Sequence, residues 1–244
     1  MLAAGKGTRM NSSLPKVLHE LGGRTLLDHV ITTLKRAGSD TIIVTVGFGR
    51  EKVEEELRQR HPGVKIAVQE EQLGTGDAAR VALSGVPDDC REVGIFCGDT
   101  PLLTADTVRG LAAEHRKRSA AVTVLTAEIE DPAGYGRVIR DEAGYLARIV
   151  EEKDASSEER TVREINAGTY FFNRQALARA LRGLDNDNAQ GEYYLPDTIS
   201  LLRSKGERVA AWVSAESPEE VLGVNTWEQL TEAERIMSAR GGAA

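Results

Sequence analysis

The sequence has little of what would carry a protein out of the cell or onto nucleic acid. It holds two cysteines in 244 residues, Cys90 and Cys97, too few for a disulfide framework, so a reducing compartment is expected. Four histidines, His19, His29, His61 and His115, fall at no metal-ligand spacing and receive no role. No apolar run reaches the roughly 20 residues of a membrane-spanning helix. The start lacks the basic-then-apolar layout of a secretory signal. Positive charge is not in excess: 31 Lys and Arg against 38 Asp and Glu leave −7. That argues against a general nucleic-acid binder, but not against a local basic pocket for a small anion. A cytoplasmic protein with neither nucleic-acid nor membrane partners is expected.

What is present alternates. Leu26, Leu27, Val30, Ile31 and Leu34 recur at helical spacing up to Gly38, and "TIIVTVG" at 41–47 is a short β-branched strand. The charged helix "REKVEEELRQRH" is stopped by Pro62-Gly63. Then come strand "KIAVQ", helix "TGDAARVALSG", strand "VGIFC", helix "TADTVRGLAAEHRKRS" and strand "AAVTVLTAEI". This rhythm predicts an α/β fold with a mostly parallel sheet and helices on both faces. "GRVIRD", "YLARIVEE" and "INAGTYFFN" follow without long helices between them and predict a small β-rich extension. Capping boxes are expected at Ser217 with Glu220, beside Pro218, and at Thr226 with Gln229.

The first twenty residues, "MLAAGKGTRMNSSLPKVLHE", are glycine-rich and carry Lys6, Arg9 and Lys16. A dinucleotide fingerprint would need glycine where Met10 stands, and a P-loop would need Ser or Thr after Lys6, where Gly7 stands. What remains is a strand end, then a turn in which Gly5 and Gly7 let backbone N–H groups approach a phosphate chain. Arg9 offers a fork that matches two phosphate oxygens, and Lys16, its direction fixed by Pro15, a compact charge. Read alone, "GKGTR" fits a solvated surface loop equally well.

"LAAGKGTRM" followed by "LPKVLHELGGRTLLDHVI" resembles the signature of the sugar-phosphate nucleotidyltransferases. "QEEQLGTGDAA", "CGDTPLL", "DPAGYGRVIR", "IVEEKDA", "EINAGTY", "NAQGEYYLPD" and "GVNTW" narrow the resemblance. They are similar to the pyrophosphorylase half of bacterial bifunctional N-acetylglucosamine-1-phosphate uridylyltransferases, in family order from residue 2 to about residue 227. The resemblance implies a Rossmann-like nucleotidyltransferase fold over 1–227, its extension binding the sugar, and a C-terminal helix at 228–244. It implies UTP and N-acetylglucosamine 1-phosphate as substrates and Mg²⁺ as cofactor, with Asp99 and Asn225 as metal ligands. Arg9 and Lys16 are the implied catalytic cations. Leu2, Ala3, Ala4 and Gly5 are implied backbone contacts to the nucleotide, Gln69, Gly74 and Thr75 contacts to the uridine, and Cys97 and Gly98 neighbours of the ligand. Gly136, Glu151 and Asn166 are implied on the sugar side.

The chemistry of these residue types agrees, with alternatives. Asp99 ends an apolar strand, where open α/β sheets bind ligands, and a carboxylate beside polyphosphate suits Mg²⁺, the alternative being that it organises the turn before Pro101. Asn225 could instead start the next helix. Gln69 has a donor and an acceptor for a base edge, and Glu151 and Asn166 could bind sugar hydroxyls or serve as a solvated acid and a strand-end cap. Tyr193 and Tyr194 fit packing better than ligand stacking. A sugar 1-phosphate is already ionised near neutral pH, so alignment and charge neutralisation suffice for attack on UTP. Two departures from the family are visible: a short apolar start before "LAAG", and an end at "SARGGAA" without hexapeptide repeats. Neither acetyltransferase activity nor an obligate trimer is therefore expected. The alternatives are a nucleotidyltransferase for glucose 1-phosphate or another nucleotide, and a silent sugar-nucleotide-binding module.

Overall fold

The structure is a computed structural model that describes residues 1–213 and 217–241. In chain order the elements are β1 (Leu2–Ala3), a hairpin of β2 (Glu20–Leu21) and β3 (Arg24–Thr25), α1 (Leu26–Arg36), β4 (Ile43–Val46), α2 (Arg50–Arg60), β5 (Lys65–Val68), α3 (Thr75–Leu83), β6 (Glu92–Ile95), α4 (Ala105–Arg118) and β7 (Val122–Glu128). Then follow β8 (Arg137–Arg140), β9 (Leu146–Val150), β10 (Glu164–Asn173), α5 (Arg174–Arg182), α6 (Asp197–Ser204), β11 (Val209–Val213) and α7 (Trp227–Gly241). Single 3₁₀ turns lie at Thr8–Met10 and Lys16–Leu18.

Local chemistry sets the helix ends. The Thr25 hydroxyl accepts the Asp28 N–H at 3.1 Å and starts α1, whose buried stripe is the one that the spacing predicts. Thr104 caps α4 in the same way, and the Asn173 side chain accepts from both Gln175 and Ala176 at the start of α5.

The expected parallel sheet is present. β5, β4 and β1 run parallel, and a parallel bridge from Leu2 to Cys97 joins β1 to the end of β6. β11 lies parallel to β7. One strand departs from the expectation: β10 runs antiparallel between β6 and β7, and its first residues also pair with β8. "INAGTYFFN" is therefore a spine of the main sheet, and only β8 and β9 form the extension. Alternation along β10 explains this: Ile165 and Ala167 are buried on one face of the sheet, Tyr170 and Phe172 on the other. A strand buried on both faces reads as apolar throughout, which conceals its central place.

Two cores sandwich the sheet. One joins Leu27, Val30 and Ile31 of α1, Val53 and Leu57 of α2, and Val108 and Leu111 of α4 to the sheet. The other joins Ala79 of α3, Leu177 and Leu181 of α5, and Ile199 and Leu202 of α6. A third cluster sets Leu230, Ala233 and Ile236 of α7 against Met10, Leu21 and Leu26. It packs α7 beneath the glycine-rich turn.

β1 has two residues. The Met1 ammonium donates to the Ile43 carbonyl at 2.7 Å, and burial lowers its pKa to about 5. Beside it a groove of about 1000 Å³, lined by Ile42, Ile43, Phe96 and Val108 among others, opens at the sheet edge opposite the candidate site.

The caps near the C-terminus differ from expectation. The Ser217 side chain caps nothing, because Glu220 turns inward to accept from Thr104 and Thr107 at 3.1 and 2.6 Å. The Thr226 hydroxyl does accept the Gln229 N–H at 3.2 Å, but Gln229 reaches back one residue further, to the Asn225 N–H at 2.8 Å.

Candidate active site

The glycine-rich turn is shaped by contacts that only glycine permits at one point. Gly7 has φ +61°, and a Cβ there would stand 2.6 Å from Lys16 Cβ, so the turn packs flat against Lys16. Met10, fully buried, anchors the far end, and the Trp227 indole N–H donates to its carbonyl at 3.0 Å. Between them Arg9 projects outward. A Cβ on Gly5 would meet open space, so its backbone is accessible. Leu2 differs: its N–H and C=O are both taken by the sheet, at 2.8 Å to Phe96 and 2.9 Å to Gly98, and the Ala4 carbonyl accepts from Phe48. Lys6 lies over the Phe48 ring, 5.6 Å from its centroid, outside the cluster described next.

Four residues from three chain regions converge. Lys16 Nζ donates to Asp99 Oδ2 and, at 2.7 Å, to Asn225 Oδ1. Arg9 Nη2 donates to the same Asn225 oxygen at 2.8 Å. Asp99 is delivered by the end of β6, and its carbonyl accepts the Val224 N–H at 2.8 Å, which draws 223–225 alongside. The Asn225 amide nitrogen is occupied by the Gly223 carbonyl at 3.2 Å, so its oxygen faces the cations. A Cβ on Gly223 would lie 3.3 Å from Asn225 Nδ2 and 3.5 Å from Asp99 Oδ2. A carboxylate and an amide oxygen aimed at one cation are the hard donors that a divalent ion such as Mg²⁺ takes, so the pair fits a metal. Among the described residues no group of three or more His, Cys, Asp or Glu could hold an ion.

Across the site, Gly136, Glu151 and Asn166 come together. A Cβ on Gly136 would be 3.2 Å from Glu151 Oε1 and 3.5 Å from Asn166 Cβ. The Asn166 oxygen is already used, accepting from Gly168 N–H at 3.0 Å and the Tyr170 hydroxyl at 2.9 Å; it holds a register shift in β10, where Gly168 has φ +67°. Its NH₂ is the half left for a ligand. Glu151 makes no side-chain hydrogen bond among the described residues. Burial, and then Asp197, Asp154 and Glu192 nearby, push its pKa up to about 7. Cys97 sits beneath Gly168, its thiol 3.4 Å from that carbonyl, and burial pushes its pKa up to about 12, so it is a packing group and not a nucleophile.

In the turn before α3, Gln69 is buried, and its NH₂ donates to the Gly74 carbonyl at 3.1 Å and to Asp77 at 2.9 Å. Gly74 has φ +105°, and a Cβ there would stand 2.6 Å from the Tyr193 carbonyl. The Thr75 hydroxyl accepts the Leu195 N–H at 3.0 Å. Gly74 and Thr75 therefore hold the strand-to-helix turn, the structural duty that the sequence left open for them. Sequence reading gave Gln229 only as the capping partner of Thr226 and did not single out Asp77, Asp154 or Asn188. A carboxamide four residues after Asn225 was the available signal for the second duty of Gln229; Asp77 accepts from the Gln69 and Arg80 side chains, and Asp154 and Asn188 act through backbone partners that leave no pattern.

A family model described as the MobA-like NTP transferase domain matches residues 1–195. The chain belongs to that family. Curated relatives named Bifunctional protein GlmU align over 98% of the chain, at 48% identity in Halalkalibacterium halodurans, 47% in Bacillus subtilis and 48% in Streptomyces coelicolor. The chain spans about half the length of these relatives: 52%, 52% and 50%. A solved Bacillus anthracis structure named as a glucose-1-phosphate thymidylyltransferase in complex with sucrose superposes with a TM-score of 0.74 at 18% identity. It covers 96% of this chain and 92% of its own, and shares the nucleotidyltransferase fold. No described helix is long and apolar enough to cross a membrane.

Proposed function

We propose that the chain transfers the uridylyl group of UTP to N-acetylglucosamine 1-phosphate, giving UDP-N-acetylglucosamine and pyrophosphate. The observation that carries this reading is the convergence of Arg9 and Lys16 on the oxygens of Asp99 and Asn225, at the carboxyl edge of the parallel strands. The similarity to GlmU proteins over 98% of the chain supports the choice of nucleotide and sugar. Asp99 and Asn225 would hold Mg²⁺, which, when bound, supplies charge neutralisation to the phosphates.

A phosphate oxygen of the sugar 1-phosphate attacks the α-phosphorus of UTP. The bond from that phosphorus to the bridging oxygen breaks, and pyrophosphate leaves with the electron pair. No base is needed, because the attacking oxygen is already ionised. Arg9 and Lys16 gather the negative oxygens and hold the two phosphates in line. Gly136 leaves room for the sugar ring, Asn166 offers its NH₂ and Glu151 its carboxyl to hydroxyl or acetamido groups, and Gly74 lets the base approach the backbone.

Pyrophosphate release with UTP, Mg²⁺ and either N-acetylglucosamine 1-phosphate or glucose 1-phosphate tests the reading. Release that stops with EDTA and favours the acetamido sugar is expected. Arg9→Ala, Lys16→Ala and Asp99→Ala should each lower kcat about 10²–10³-fold with an unchanged circular-dichroism spectrum. Preference for glucose 1-phosphate would move the assignment to another sugar. Binding of UDP-N-acetylglucosamine without turnover would leave a silent binding module.

A further inference from the structure

The two halves of the proposed site belong to different parts of the fold. The base side is the turn before α3, and the sugar side is the turn after β9. One segment, 188–195, touches both. At its near end the Ala189 N–H donates to Asp154 at 2.8 Å and Lys153 donates to the Gln190 side chain at 2.6 Å, on the turn that carries Glu151. At its far end the Tyr193 N–H donates to Leu73, Gly76 donates back to the Tyr193 carbonyl, both at 2.8 Å, and the Leu195 N–H reaches the Thr75 hydroxyl. The Arg80 guanidinium lies over the Tyr193 ring, 4.8 Å from its centroid.

Asn188 sets the shape between these ends. Its oxygen accepts from both Gln190 and Glu192 N–H at 3.2 Å, and its NH₂ donates to the Glu192 carbonyl at 2.6 Å. The turn then passes Gly191 at φ +66°. Gln190 folds back onto the Tyr194 hydroxyl at 2.8 Å, and Tyr194 is buried. One small side chain thus fixes the span between a contact on Asp154 and a contact on Thr75, 79 positions apart in sequence.

We infer that residues 188–195 form a strap that holds the base half and the sugar half of the site at a fixed separation, with Asn188 and Asp154 as positioning residues. The inference rests on the proposed uridylyltransferase reading, because it needs a ligand that spans both halves. Neither residue contacts the phosphates; each acts through the strap. Detaching one end lets both half-sites drift, so a change made on the sugar side reaches the base side.

Calorimetric titrations with UDP alone, with N-acetylglucosamine 1-phosphate alone and with UDP-N-acetylglucosamine test it, on the parent and on Asp154→Ala, Asn188→Ala and Asn188→Asp. Asp154→Ala is expected to weaken UDP severalfold, although Asp154 lies on the sugar side, and to weaken the spanning ligand more than either half. Asn188→Ala should do the same, and Asn188→Asp, which keeps the two accepting bonds, should recover part of the affinity. In turnover, KM for both substrates should rise with kcat within about twofold. Unchanged UDP affinity in Asp154→Ala would overturn the strap. So would a fall in kcat at constant KM. A parent chain that does not bind UDP-N-acetylglucosamine would sink the functional reading itself, a separate result.

Discussion

Lys16 makes side-chain hydrogen bonds to acceptors 83 and 209 positions away, so its ammonium fixes the relation of three loops. Glu151 is the opposite case, a carboxyl beside Gly136 with no cation bonded to it among the described residues. Its folded pKa, about 7, stands above the ordinary 4.5, with burial the first cause. Stability held by its protonated form is fully present below about pH 4.5 and is lost as pH rises through 7. Glu151→Gln is neutral at every pH, so its stability should gain on that of the parent between pH 5 and 8, by up to about 3 kcal/mol. Urea midpoints across that range read the difference; a constant offset would mean that the carboxyl titrates as in water. Asp197, raised to about 6 by burial, runs in the same direction and is coupled to Glu151 by charge, so the comparison reads the pair together.

At the scale of elements, the start of α7 serves two purposes. Thr226 caps the helix, while Gln229 holds the Asn225 backbone and so the oxygen beside Asp99. Gln229→Ala should cost about 1 kcal/mol of stability, an ordinary loss at a helix start. It should raise the Mg²⁺ concentration for half-maximal activity by a larger factor, which a metal titration of pyrophosphate release would detect. Equal and small losses in both would mean that Gly223, Arg9 and Lys16 hold Asn225 without Gln229. The sequence showed α1 to α4, because their periodicity and caps are local. It placed Asp99 at the end of an apolar strand, which is a local pattern, and offered phosphate as one reading of the opening cations. It did not show α5, α6 or β11, nor the central place of β10, because strand pairing and the burial of both faces are set by partners far along the chain. The Ser217 box failed for a similar reason: Thr104 and Thr107, over a hundred positions away, bind the Glu220 carboxylate instead. Asn188 and Asp154 were invisible because their partners are backbone N–H and C=O groups, which carry no residue-specific pattern.

For the whole molecule, β10 decides what can move. Ten residues long, it carries Asn166 near one end and pairs with β6, which delivers Asp99, near the other. A closure of one half of the site over the other would have to bend β10, which is paired on both sides at 170–172 and whose register shift around Gly168 is pinned by Asn166, accepting from the Gly168 N–H and the Tyr170 hydroxyl. Ligand binding should therefore leave the radius of gyration, about 18 Å for a chain of this length, unchanged in solution scattering at saturating UDP-N-acetylglucosamine. A contraction of several per cent would show a hinge, with the register shift around Gly168 as its place. If the frame is stiff, the site works as a gauge: it measures the distance from base to sugar, and a molecule is accepted because the link between its two ends has the right length, before any single group on it is read.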